Sequence, residues 1–487
     1  MFRPRLSLSL ASALALAACS ESTVPSSPIA PSSAARSSSA APATRYVVLS
    51  KNNGFAPDFA TKVAALGGTV EQLHGGAGIA VVSGISDPAQ LSALSSVTDV
   101  QADADIALDS PIAAASADAT SYGVDPSASS VGNPASAILA SWQWNMRDIH
   151  ADAAWAAGKL GSSSVTVAII DTGIDYNALD LNGLVDLSRS ASFVASDNAV
   201  TSTYFPSRHP ITDYNGHGTN VATQVSSKAF AFAGVTSKTT LIGVKVLDAT
   251  GHGSLSSVLN GVLWAADHGA NVANMSLGGG FAKAGNGRFV GLINRTFNYA
   301  EKQGMLIVVA AGNATSDLDH DGNFLPTYCT QQHVVCVSAV GPLTFTDNPD
   351  RPTFYTNFGR SAIDVAGPGG NADLAGGLPL SPWPWGNDFA SWVWSLCSKT
   401  ELAGFTSTGT PVLAGCQAGN RLVGEIGTSQ ATPHVAGLAA LLVAEKGAGH
   451  PSQIKNAIEQ SADDLGQPGT DPYFGKGRIN VKKALGL

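Results

Sequence analysis

The sequence predicts an α/β domain built on a doubly wound, mostly parallel sheet, preceded by a small α+β module. Continuous apolar runs recur at 165–170, 241–247, 272–275, 305–310 and 334–337, as expected of strands buried on both faces. Amphipathic stretches lie between them. Leu255, Val258, Leu259, Val262 and Leu263 follow the i, i+3, i+4, i+7, i+8 spacing of a helix packed on a sheet, and Phe289, Leu292, Ile293 and Phe297 line a second helix over about 285–302. Repeated β–α units bring helices to both sheet faces and a site to the carboxyl ends of the strands.

The chain has 487 residues, enough for more than one domain, with 44% hydrophobic and 13% charged residues and 52 Gly. The formal net charge of −9 implies no basic surface, so neither nucleic acid nor an acidic lipid surface is an expected partner. Residues 1–18 read as a targeting segment: Arg3 and Arg5 precede an apolar stretch, Leu6 to Ala18, too short to span a membrane. It ends Leu16-Ala17-Ala18-Cys19, which resembles the lipobox of bacterial lipoproteins. That resemblance implies lipidation of Cys19, a lipid anchor, and an outer-membrane or extracellular location; an ordinary signal peptide cleaved after Ala17 is the alternative. Without Cys19 four cysteines remain, suited to two disulfides in an oxidising compartment. Four cysteines allow three pairings, and near-neighbour pairing, Cys329–Cys336 and Cys397–Cys416, is the expected one.

Residues 19–44 are Ser, Ala and Pro and read as a flexible tether. A small module follows at 45–108. Strands are expected at 46–49, 78–82 and 97–106, and helices over 55–66 and after Asp87-Pro88; the module's order is read as strand-helix-strand-strand-helix-strand, which contains one further strand without an assigned position. Residues 109–144 lack periodicity and read as an exposed linker open to proteolysis. The α/β domain occupies 145–487.

Three motifs carry chemistry-bearing side chains. Asp171-Thr172-Gly173-Ile174-Asp175 ends the first buried run and so puts a carboxylate at the mouth of the sheet. His217 lies between two glycines in Asn215-Gly216-His217-Gly218-Thr219-Asn220-Val221-Ala222, where backbone and substrate can approach closely. Ser429, in Gly427-Thr428-Ser429-Gln430-Ala431-Thr432-Pro433-His434-Val435-Ala436-Gly437, opens a long helix of small residues, whose free N–H groups favour a nearby anion. Alone, each has a commoner structural reading: a turn, a structural histidine, an N-cap serine.

Together, in the order Asp…His…Ser, the three segments resemble the signature motifs of the subtilisin family. The match covers about 145–487, with Asn220 and Gln430 replacing the usual His and Met. The resemblance implies a serine endopeptidase acting on polypeptides, with Asp171, His217 and Ser429 as its triad. It also implies that Asn313, in Ala310-Ala311-Gly312-Asn313, donates to the oxyanion. Ser276, Leu277 and Gly278 would line the pocket before the scissile bond, and Gly251, His252 and Gly253 would pair with an extended substrate. By the same resemblance 45–108 is an inhibitory propeptide, removed by cleavage within 109–144.

No cofactor is expected for the chemistry. Structural calcium is suggested by Asp180 and by the alternating acids Asp317, Asp319 and Asp321, a pattern equally suited to a solvated acidic turn because Tyr328 stands where a calcium loop carries Glu. The segment 369–425, with Trp383, Trp385, Trp392 and Trp394, exceeds the corresponding family segment. A loop beside the cleft, a stabilising flap and a protein-binding surface are all open readings. A serine esterase would instead carry Gly-x-Ser-x-Gly, which Gln430-Ala431 rules out around Ser429.

Overall fold

The structure is a computed structural model describing residues 45–487, except 52–53, 109–112, 126, 128–129, 131, 279–280, 283–286, 323, 326–327, 345, 373–387, 417–419 and 448–449. The signal segment, Cys19, the tether, Trp383 and Trp385 lie outside the described residues.

The N-terminal module runs β1 (Arg45–Ser50), α1 (Phe59–Ala65), β2 (Thr69–His74), β3 (Ile79–Ser83), α2 (Pro88–Ser92) and β4 (Val97–Ala102), the expected order. Its antiparallel sheet has the order β2-β3-β1-β4. Because side chains alternate along a strand, the apolar run 46–49 gives β1 two greasy faces. Tyr46 and Val48 join Phe59, Val63, Ala80, Val82 and Leu91 in the module's own core. Val47, Ala77 and Ile79 belong to a different cluster, shared with the large domain. The expected single strand 97–106 breaks at Asp103, whose carboxylate leaves the module to accept hydrogen bonds from the Ser256 N–H (2.9 Å) and hydroxyl. A separate strand, β5 (Asp105–Ala107), follows.

The stretch 109–144, expected as an exposed linker, is largely built into the domain. Ala113–Asp118 forms β6, Ala119, Val124, Ala137 and Leu139 are buried in the main core, and Ile138 and Leu139 donate to the carbonyls of Phe230 and Ala231. Its alanines bury too little surface each to produce a readable apolar period. Backbone pairing and small-residue packing hold it instead.

The large domain continues with α3 (Trp144–Asp148), α4 (Ala151–Ala156), β7 (Thr166–Asp171), β8 (Ala191–Ser192), α5 (Ala195–Tyr204), α6 (His217–Val225), β9 (Thr240–Lys245), β10 (His252–Ser254), α7 (Leu255–Asp267), β11 (Val272–Met275), β12 (Phe281–Ala282), α8 (Gly287–Lys302), β13 (Leu306–Ala310), β14 (Phe324–Leu325), β15 (Val334–Val340) and β16 (Val365–Pro368). After these come α9 (Asp388–Ser391), β17 (Val393–Leu396), β18 (Leu402–Phe405), β19 (Pro411–Leu413), β20 (Arg421–Ile426), α10 (Thr428–Lys446), α11 (Pro451–Ser461) and α12 (Val481–Leu485). Seven strands form the main sheet in the order β16-β15-β13-β11-β7-β9-β8, each neighbouring pair parallel.

Alternation sorts the buried strands onto two faces. Val167, Ile169, Val308 and Val335 pack with Val221, Val225, Val435 and Leu442 of α6 and α10. Ala168, Ile170, Ile307 and Val309 pack with Val258, Val262, Leu292 and Phe297 of α7 and α8. A sheet dry on both sides is the doubly wound arrangement. The module's second face adds to the α7–α8 layer, fastened by His74 Nε2 to Asp267 (2.7 Å), Arg288 to Asp99 (2.6 Å) and Arg295 to the Ser50 carbonyl (3.2 Å).

Candidate active site

Asp171 is the last residue of β7 and fully buried. Its Oδ1 accepts from the Thr172 N–H at 2.7 Å and lies 2.8 Å from His217 Nδ1. His217 is the first residue of α6, and two devices bring it there. The first is close packing: a Cβ on Gly218 would stand 2.1 Å from the Gly173 carbonyl oxygen, so only glycine lets the helix start meet the turn after β7. The second is Asp213. Its Oδ1 accepts from Asn215 N (3.0 Å), Gly216 N (2.9 Å) and Thr172 Oγ1 (3.0 Å), and its Oδ2 from Thr219 N (2.9 Å) and Thr219 Oγ1 (2.6 Å). One buried carboxylate thus ties the loop to both the helix and the strand end.

Ser429 follows β20 through Gly427 and Thr428. The Ser276 hydroxyl donates to its carbonyl oxygen (2.7 Å), and the Ser429 hydroxyl donates to the Ser276 carbonyl (3.2 Å). Register fixes what this means. Asn274 of β11 lies opposite Ile169 of β7, so Ser276 is level with Asp171 on adjacent parallel strands, about 4.8 Å apart. Ser429, in the first turn of α10, is therefore bonded to the chain just past the end of β11, the strand beside the one that ends in Asp171, with α6 packed against α10. Among the described residues His217 Nε2 is buried without a partner.

The third element is the loop after β13. Asn313 Oδ1 accepts from the Thr428 N–H and hydroxyl, both at 2.9 Å, which orients the amide with Nδ2 outward. That Nδ2 has no partner among the described residues. A carbon placed where a Gly427 side chain would begin lies 2.9 Å from Gln430 Oε1, 3.4 Å from Asn313 Nδ2 and 3.6 Å from Ser429 N, so both nitrogens lie close to one point beside Gly427.

Charge around His217 is lopsided. Burial, the largest influence, lowers its pKa, but the charge and hydrogen bond of Asp171, with Glu425 and Asp213 behind, raise it above the ordinary imidazole value. Glu425 is buried in β20 with Gln430 Nε2 donating to it at 2.7 Å, and burial pushes its pKa up to about 6. Glu401 is pushed up to about 7 by burial and by the charge of Asp213. The sequence reading missed both acids. The available signal was Glu425, an acid in an otherwise apolar run four residues before Ser429.

The segment 369–425 buttresses this corner. Ser398 Oγ (2.7 Å) and Thr400 Oγ1 (2.9 Å) donate to the Asp213 carbonyl, and the Leu402 N–H donates to the Tyr214 carbonyl (2.9 Å). Trp392 and Trp394 stack at 6.3 Å, and the disulfide Cys397–Cys416 closes the segment with Cα atoms 6.2 Å apart. The other cysteines pair as Cys329–Cys336.

Gly251, His252 and Gly253 form the expected edge, and it is occupied. β10 pairs antiparallel with β5, His252 opposite Ala107 and Gly253 opposite Ile106, and the Leu108 N–H donates to the Gly251 carbonyl at 2.7 Å. Ser276, Leu277 and Gly278 are buried, and Ser276 is hydrogen-bonded to Ser429.

Of the four acids named for calcium, Asp180, Asp317 and Asp319 accept hydrogen bonds from the protein itself. Asp180 Oδ1 accepts from the N–H groups of Phe230 (2.8 Å) and Ala231 (3.0 Å) and its Oδ2 from Phe232 N (3.2 Å), so it serves as an internal anchor for that loop. Asp317 takes the Asp319 N–H (3.0 Å) and pairs with His320 (2.8 Å), and Asp319 takes the Ser361 hydroxyl (2.6 Å). Among the described residues no group of three His, Cys, Asp or Glu side chains is arranged to hold a metal ion.

The sequence profile of the subtilase family matches residues 162–477. The chain is a subtilase. It is 31% identical over 356 residues to thermitase of Thermoactinomyces vulgaris, covering 72% of this chain and 99% of that one. It is 33% identical over 347 residues to a thermophilic serine proteinase of Bacillus sp. strain AK1, covering 71% and 67%. Among solved structures, the epidermin leader peptide processing serine protease of Staphylococcus aureus superposes with a TM-score of 0.69 at 21% identity, covering 91% of this subtilase and 98% of that chain, a likeness of fold. This subtilase is a serine endopeptidase of the subtilisin type. No helix among its described residues is long and apolar enough to cross a membrane.

Proposed function

We propose that this endopeptidase is made as an exported precursor, anchored through a lipidated Cys19, inhibited by 45–108, and active through Asp171, His217 and Ser429. The observation that carries the catalytic reading is the Asp171–His217 pair beside Ser429, with the Nδ2 of Asn313 and the backbone nitrogen of Ser429 close to one point. A turn about χ1 swings the Ser429 hydroxyl from the Ser276 carbonyl to His217 Nε2. Nε2 takes the proton as Oγ attacks the carbonyl carbon of the scissile bond. Asn313 Nδ2 and the Ser429 N–H donate to the oxyanion. The imidazolium returns its proton to the leaving amine, and water, deprotonated by His217, releases the acyl group.

Asn313→Ala is expected to lower kcat by about a hundred- to a thousandfold, about 3–4 kcal/mol of transition-state stabilisation, with KM nearly unchanged. Steady-state kinetics on a peptide amide checks this. The pH dependence has a definite sign. The base acts as neutral imidazole, and a raised pKa keeps it protonated to higher pH, so kcat/KM should climb through an inflection above 6.5. Asp171→Asn removes the charge that raises it, so the inflection should move down while kcat falls about ten-thousandfold. An inflection left in place would separate His217 from the rate.

The inhibited-precursor reading is supported by β5 on the substrate edge and by the apolar face that the module shares with α7 and α8. Maturation is then expected between Leu108 and Ala113, and it should require Ser429. Wild-type protein should carry a new N-terminus within 109–113, and Ser429→Ala should stay uncut. Terminal sequencing decides it, and identical processing of both proteins would contradict the reading.

A further inference from the structure

β20 leads directly to Ser429 and has two edges. β17 covers one, with Val393 opposite Glu425 and Leu396 opposite Leu422. The other is covered by the chain's own β6, antiparallel, with Ala113 opposite Ile426 and Asp118 opposite Arg421. The chain reaches that edge by an informative route. It lies along β10 as β5, running toward Gly251, and after five intervening residues it enters β6. Six such steps, from Ala107 to Ala113, reach at most about 22 Å, so the ends of the two pairings lie within that distance of each other. β6 begins opposite Ile426, three residues before Ser429, and runs away from the serine. A substrate lying on β10 in the same direction would follow that course with the residues after its scissile bond.

We propose that the outer edge of β20 is a strand-binding surface for the leaving-side half of a polypeptide substrate, and that Ala113–Asp118 is its resident occupant, which such a substrate must displace. The proposal rests on Ser429 being the nucleophile. The edge offers backbone pairing, which accepts any extended peptide, and its resident is Ala-Ala-Ala-Ser-Ala-Asp. The only side-chain addition described is Arg421, which donates to the Ser116 hydroxyl and, at 2.8 Å, to the Ala414 carbonyl. The resident remains after upstream cleavage because Ala119 and Val124, just beyond it, are buried in the core and the Ala119 N–H donates to the Asn420 carbonyl at 2.7 Å. A strand tethered that closely competes at high effective concentration. The enzyme would therefore favour substrates that supply a well-pairing strand after the cut and gain nothing from it when the leaving group is small.

Two substrates sharing the residues before the scissile bond test this, one ending in a p-nitroanilide and one extended by six residues after the cut. In the double variant Ser116→Pro/Ala117→Pro one of the two prolines must remove a ladder donor, because neighbouring residues alternate in facing the partner strand. KM for the extended peptide should fall about tenfold, the equivalent of one or two hydrogen bonds, while kcat/KM for the anilide stays within about twofold. Equal changes on both substrates, or none, would overturn the proposal. If neither substrate is turned over by the wild type, it is the Ser429 reading that fails. Hydrogen exchange on acylated wild-type enzyme serves if the variant does not fold. Adding a six-residue leaving-side peptide should deprotect 113–118 and leave 421–426 protected, and continued protection of 113–118 with the peptide bound would contradict displacement.

Discussion

Ser429→Ala is expected to reduce kcat/KM on an extended peptide by about a millionfold, the scale on which triads of this type fail without their nucleophile. The loss should be catalytic and not structural. The Ser429 hydroxyl makes one long hydrogen bond, 3.2 Å, to the Ser276 carbonyl, so truncation costs about 1 kcal/mol of stability at most. The strand-end position is held by other bonds: Ser276 Oγ to the Ser429 carbonyl, and Thr428 to Asn313. Because nucleophile and base act as a unit, Ser429→Ala/His217→Ala should be little worse than either single change. A residual rate about a thousandfold above water should persist, supplied by binding and the oxyanion donors. Kinetics with a thermal melt on each variant checks this; independent, multiplying losses would contradict a shared proton transfer.

Deleting 45–108 is expected to abolish recovery of active enzyme. The seven-stranded parallel sheet joins strands distant in sequence, and such topologies fold slowly because loop closure precedes the reward of contact. The module has a core of its own and presents Val47, Ala77 and Ile79 to the layer that holds Phe289, Leu292 and Phe297 of α8. It also caps α7 at its start, Asp103 accepting from Ser256 while the Ala104 carbonyl takes the Leu255 N–H at 2.8 Å. A template role would have it organise the α7–α8 face of the sheet before the strands close. Refolding the truncated chain should give inactive, aggregation-prone protein, and adding residues 45–108 as a separate peptide should restore activity. Normal yield without the module would refute the template role.

The sheet and its helices are legible in the sequence because buried parallel strands are apolar on both faces and the crossover helices keep a 3.6 period. The segments around Asp171 and His217 stand out in the sequence because one closes a strand and the other opens a helix beside glycines that serve close approach, Gly173 and Gly218, where a side chain would clash with backbone, whereas Asn313 is singled out only by the family resemblance. β6 is not legible. Its alanines have no strand period of their own, and its pairing depends on an edge three hundred residues away. Nor is the use of Asp180 and Asp319 readable. A carboxylate that collects backbone N–H groups and one that ligates a cation look the same in one dimension; here the donors are loop amides and Ser361. Glu425 and Glu401 acquire meaning only through the fold, which brings Glu425 near His217 and Glu401 near Asp213.

The convergence of His217 and Ser429 is tested most directly by reacting the protein with a fluorophosphonate, which captures only an activated serine, and mapping the adduct by peptide mass. The account predicts one adduct, on Ser429, lost in His217→Ala even though the serine remains. An adduct on another residue, or labelling of Ser429 at an undiminished rate without His217, would contradict it.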